Sequence, residues 1–267
     1  MRLRNIWVGA LGVALAASLT ACGGGQETSS KSAAPSAPAG TPAGQKVDTA
    51  TAGDVKGTAS LDGTAPKNEP IKMNADPVCV KANKDPQVQE TYTVSGDGKL
   101  ANVFVYVKDG LGNYVFDPPT GHATIDQRDC RYHPHVFGIR VGQPLDIVNS
   151  DQTLHNIHAL PKVNAEFNTG EPLPMKVEHI FTAKEVMVPF KCDVHGWMNA
   201  YVGVLDHPYY ALTDKDGKFE LKSLPPGTYT IEAWHEKLGT LQQSVTLGAK
   251  ETKDVIFTFK VAAAPTN

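Results

Sequence analysis

Apolar side chains in this chain recur at every second position, in runs that end at a Gly, Pro, Asn or Asp after a few residues. Phe137, Ile139 and Val141 alternate, Gly142, Gln143 and Pro144 turn the chain, and Leu145 and Ile147 resume the pattern. A period of two lines one face of a pleated strand, and such short runs favour strands and turns over long helices. The 24 glycines and 19 prolines supply the turns that many short strands need. The expected fold class is therefore all-β. At 267 residues and 41% hydrophobic, the chain is long enough for one large or two ordinary domains.

The same alternation locates a loop rich in ligand-type residues. Val188, Phe190 and Cys192 fall on one strand face, Val202 and Val204 on the next strand, and Asp193 to Met198 connects them. Cys192, His195 and Met198 are spaced by three, and His155 and His158 lie on a separate strand upstream. A thiolate, imidazoles and a thioether form the donor set that copper takes in electron-transfer sites. Zinc rarely takes a thioether. Trp197 and Pro189 beside these residues would form an apolar collar controlling solvent access.

The N-terminus reads as an address. Arg2 and Arg4 precede a short apolar stretch, and "LTAC" ending at Cys22 resembles the bacterial lipobox. That resemblance implies removal of residues 1–21, lipidation of Cys22 and attachment to the membrane by acyl chains. A plain secretory signal is the alternative. Gly23 stands where some lipoproteins carry the Asp that retains them at the inner membrane, which directs the expectation to the outer membrane. Residues 22–52, rich in Gly, Ser, Ala and Pro, read as a flexible tether. Loss of the two arginines takes the net charge from -3 to -5. With no basic run in the body, nucleic acid is not an expected partner.

Export also changes the meaning of the cysteines. With Cys22 lipidated, Cys79, Cys130 and Cys192 remain in an oxidising compartment, and an odd count implies one pair plus one thiol with another employment. Cys79 and Cys130 sit beside turn-like sequence without a ligand-type neighbour at x-x spacing, so they are the candidate disulfide. Two separate buried thiols remain the other reading.

Two family resemblances follow. From Phe137 to Leu205, "VGQPLDIVNSDQTLHN" and "CDVHGWM" resemble the cupredoxins, the plastocyanin and amicyanin family, with the short amicyanin-type loop. The resemblance implies a Greek-key β-sandwich and one type 1 copper held by His155, Cys192, His195 and Met198. It also implies that Asn156 ties the two ligand loops, that His158 is not a ligand, and that His195 is the solvent-edge ligand. The implied activity is one-electron transfer with redox proteins of the cell envelope, on the periplasmic side, without catalysis.

"ALTDKDGKFEL", the Pro225, Pro226, Gly227 turn and the strands after it resemble the carboxypeptidase regulatory-like, transthyretin-like sandwich. Its first strands are matched far upstream by "GDVKGTASLDGTAPK" and "LANVFVYVKDG". The expected division is thus residues 53–121 plus 207–261 for this sandwich, with the cupredoxin at 122–206 nested in it; two sequential domains are the other arrangement. Such modules act as spacers or bind protein or carbohydrate, so a glycan contact is a second functional expectation, with the cupredoxin then vestigial. His133 and His135, one residue apart, could hold a second metal on one strand face and would favour a copper enzyme or copper-handling protein.

Overall fold

The computed structural model describes residues 44–261; the expected signal peptide, the expected lipidation site Cys22 and the expected tether up to residue 43 lie outside the described residues. Chain order begins with β1 (Gly53–Asp62), a short helix α1 (Pro77–Ala82) and β2 (Phe104–Asp109). Nine strands follow: β3 (Ala123–Arg128), β4 (Arg131–His133), β5 (Val136–Arg140), β6 (Pro144–Asn149), β7 (His155–Ala159), β8 (Phe167–Glu171), β9 (Met175–Ile180), β10 (Glu185–Lys191) and β11 (Asn199–Leu205). The described chain closes with β12 (Tyr210–Leu212), β13 (Lys218–Leu224), β14 (Gly227–His235), β15 (Gly239–Leu247) and β16 (Thr252–Lys260). The fold is all-β and built from sandwiches.

Four sheets form two sandwiches. The sheet β5-β11-β10-β7-β8 faces β4-β3-β6-β9 across a core that includes Ile125, Ile139, Ile147, Phe181, Phe190 and Val202. The turn at 141–143 carries the chain from one of these sheets to the other, because β5 pairs with β11 and β6 with β3 and β9. The second sandwich sets β13-β1-β16 against β12-β2-β14-β15. β1 pairs antiparallel with β13 and parallel with β16, and β2 lies between β12 and β14. Strands on both sides of the β3–β11 segment thus share one core, in which Val55, Val105, Phe219, Ile231 and Phe257 are buried.

The sandwiches meet at a third apolar cluster around Phe104, Val136, Met187 and Leu205. Gly138 and Gly203 face each other in the β5–β11 ladder. A Cβ on Gly203 would come within 2.4 Å of the Phe104 ring, and one on Gly138 within 2.2 Å of Tyr210. The missing side chains let these rings pack against the strands.

The tether expectation is corrected at its C-terminal end. Gln45 exchanges backbone hydrogen bonds with Asn113 and Val115, and Lys250 N–H donates to Thr51 O. Residues 44–52 are therefore fixed to the second sandwich by backbone pairing, which a composition-based reading does not register.

Candidate metal centre

β10 delivers Cys192 into the core directly after Lys191, and β7 opens with His155 beside it. His155, Cys192 and His195 are all at least 97% buried, with exposures of 0%, 2% and 3%. Their donor atoms lie within 4.8 Å of one another. The Nδ1 atoms of His155 and His195 are 2.9 Å apart, and Cys192 Sγ lies 4.0 Å from His195 Nδ1. The loop holding them is closed by Met198 N–H donating to His195 O and Cys192 N–H to Met198 O. Met198 is buried in the same apolar cluster as Cys192.

Both imidazoles turn their outer nitrogens to carboxylates. His155 Nε2 is 2.9 Å from Asp151 Oδ2, and His195 Nε2 is 3.1 Å from Asp76 Oδ2. A ring that donates Nε2–H outward and gives up its second proton to a metal has its Nδ1 lone pair turned inward, towards the other ring and the thiol. Converging lone pairs of this kind suit a cation. Bond lengths for a first-row ion such as zinc, about 2.0–2.1 Å to nitrogen and about 2.3 Å to thiolate, separate the donors by about 3 to 4 Å around one ion, and the observed spacing has that size. The residues present therefore fit a single metal ion of the borderline-soft kind that thiolate and imidazole select.

Asn156 orders the thiol. Its Oδ1 accepts from Asp193 N–H at 2.7 Å and from Cys192 Sγ at 3.3 Å, while His195 N–H donates to the same sulfur at 3.3 Å. Burial raises the Cys192 pKa, but hydrogen bonds from His155, His195 and the loop backbone outweigh it and bring the thiol down to about 6. Burial opposes a charge on His155, yet Asp151 and Cys192 push it up to about 9. His158 points away, its ring between Asp193 Oδ2 and Glu166 Oε1.

Three expectations are corrected. His195 is not at a solvent edge, because α1 and a disulfide joining Cys79 to Cys130 lie over its outer nitrogen, with Cys79 Sγ 3.8 Å away. His133 and His135 do not share a strand face: Pro134 follows His133 through a cis peptide bond, and the two histidines stand at either side of the β4–β5 turn. His135 is already occupied, with Nδ1 3.1 Å from Asn199 O and Nε2 2.5 Å from Glu236 Oε1, so the pair offers no converging donors. Pro189 is the third. It alternates outward between the buried Val188 and Phe190, which leaves the collar to Trp197, whose ring lies 4.9 Å from that of His195.

Asp76 and Asp151 are the participants that the sequence reading missed. Asp151 carried a signal in standing four residues before His155. Asp76 carried only the mark of a helix cap, an Asp before Pro77.

The carboxypeptidase regulatory-like domain family model matches residues 197–260, beginning in the ligand loop and running through the C-terminal strands. No curated protein matches the chain. Similar solved structures include a copper-containing nitrite reductase from Thermus scotoductus SA-01, at 20% identity over 35% of this chain with a TM-score of 0.29. The chain spans only 24% of that enzyme's length. A purple cupredoxin from Nitrosopumilus maritimus is 23% identical, over 31% of this chain and 98% of its own, with a TM-score of 0.27. An oxidised amicyanin point mutant is 18% identical, over 38% of this chain and 97% of its own, with a TM-score of 0.29. The carboxypeptidase regulatory-like model thus matches the C-terminal part of the chain, and the similar solved structures include cupredoxins.

Proposed function

We propose that the protein is an exported, lipid-anchored carrier of single electrons, in which His155, Cys192, His195 and Met198 would hold one type 1 copper. The observation that carries this reading is the buried convergence of one thiol and two imidazole Nδ1 atoms at the end of a β-sandwich. Bound copper supplies a one-electron couple, which thiolate and imidazole ligands together make accessible in both states. The chain's own contribution is rigidity. The neighbouring imidazoles and loop backbone bring the Cys192 thiol below its ordinary pKa, Asn156 Oδ1 lies 3.3 Å from its sulfur, and both histidines keep Nδ1 turned inward.

No residue set with the geometry of an acid–base or nucleophilic centre is needed for this role, and we read the protein as a carrier rather than an enzyme. The lipobox-like "LTAC" supports attachment at Cys22 and a home in the cell envelope, with redox proteins there as partners. No helix among the described residues is long and apolar enough to cross a membrane.

Loading the full-length chain with Cu(II) tests the reading. The wild type is expected to show an intense visible thiolate-to-copper band and a narrow copper hyperfine splitting in EPR, both absent from Cys192→Ser. A colourless copper complex, or spectra that the substitution leaves unaltered, overturns it.

A further inference from the structure

The segment 63–99, between β1 and β2, leaves the second sandwich and lies across the metal end of the first. Arg131 fastens it by donating to Gln87 Oε1 and Val88 O, Asn83 Nδ2 donates to Asp129 O, and Gln89 Nε2 donates to Trp197 O. Trp197 in turn donates from Nε1 to Cys130 O. One residue of this strap reaches the site. Asp76 Oδ2 receives His195 Nε2–H and also Thr153 Oγ1–H at 2.7 Å, while Oδ1 accepts from Val78 N–H at 2.7 Å.

The opposite histidine is held in the same manner. Asp151 Oδ2 receives His155 Nε2–H and accepts Cys130 N–H at 2.8 Å. Asp76 thus sits three residues from Cys79, and Asp151 is hydrogen-bonded to Cys130. The Cys79–Cys130 bond spans the two carboxylates that hold the two candidate ligands.

We propose that the strap is a clamp built over the metal centre, in which Asp76 is a positioning residue for His195, Asp151 is its counterpart for His155, and the disulfide joins the two. This rests on the copper reading above. The physical argument is that a metal-bound imidazole is oriented, and made more basic, by what its other nitrogen donates to. Here both acceptors are ionised, both are fixed by further hydrogen bonds, and their carriers are covalently linked. Neither ring can rotate away while the strap is docked, and the His195 edge is closed to a partner protein. The second sandwich gains a role: it anchors both ends of the clamp.

The decisive variant is Asp76→Asn. Asparagine caps a helix as well as aspartate does, so α1 keeps its cap while His195 loses its charged acceptor. Copper affinity of the full-length chain, measured by competition with a chelator of known affinity, should fall about ten- to a hundredfold. The metal-free variant should still unfold in a cooperative transition, and Asp76→Glu should recover part of the lost copper affinity. Removing the staple in Cys79→Ser/Cys130→Ser should weaken copper binding in the same direction. An arm without copper reads the contact itself: the His195 Nε2 proton should exchange slowly by NMR in the wild type and rapidly in Asp76→Asn. Copper affinity and proton exchange that are both unchanged in Asp76→Asn overturn the clamp alone. A wild type that takes up no copper overturns the copper reading and the clamp together.

Discussion

At Cys192 two physical terms oppose each other. Burial favours the neutral thiol, while His155, His195 and the loop backbone favour the thiolate, and the hydrogen bonds win. A thiol lowered from 9.0 to about 6 contributes stability that is fully present above pH 9 and is lost as pH falls through 6. His155, raised from 6.5 to about 9, contributes stability that is present below 6.5 and lost as pH rises through 9. The metal-free protein should therefore be most stable between these limits. Its thiolate absorbance should titrate near pH 6, and Cys192→Ser should abolish that step. A midpoint near the ordinary thiol value would show that the contacts do not hold in solution.

The ligand-type residues were legible in the sequence because each carries distinctive chemistry and the alternation fixes which way it faces. Asp76 was not, since it lies 119 residues from His195 and nothing local distinguishes its carboxylate from any helix cap.

Elements differ in the same way. β10, the ligand loop and β11 could be read from Val188, Phe190, Cys192, Val202 and Val204, because a half-buried strand imposes a period that survives in sequence. The strap imposes none. Outside α1 it is held by isolated bridges such as Pro70 to Val88 and by side-chain hydrogen bonds, so its course over His195 depends on tertiary contacts. The glycine pair at the junction was equally silent, because its meaning lies in rings brought by other strands. Gly203→Ala should place a methyl against Phe104 and separate the sandwiches locally, costing about 1–3 kcal/mol as an overpacked contact. Denaturant unfolding of the variant gives the value; a cost near zero would mean that the junction yields freely.

At the scale of the molecule, the pairing of β1 with β13 and β16, and of β2 with β12 and β14, closes one sandwich only after the other has been accommodated between its strands. Upstream strands of the right pattern suggest this arrangement in the sequence, although sequential domains give the same pattern; in the structure β1 and β2 pair with strands that follow β11. The strap, the disulfide and the apolar junction add three further connections between the halves. Energy gained at the metal end should therefore be felt by both sandwiches. A ligand bound only by the native state adds about 4 kcal/mol at a thousandfold excess over its dissociation constant. For a chain of this size each kcal/mol raises the melting temperature by about 2–4 °C. Copper should accordingly move a single cooperative transition upward by roughly 8–16 °C. Calorimetry with and without copper checks it, and two transitions of which only one moves would show that the sandwiches unfold independently despite their shared strands.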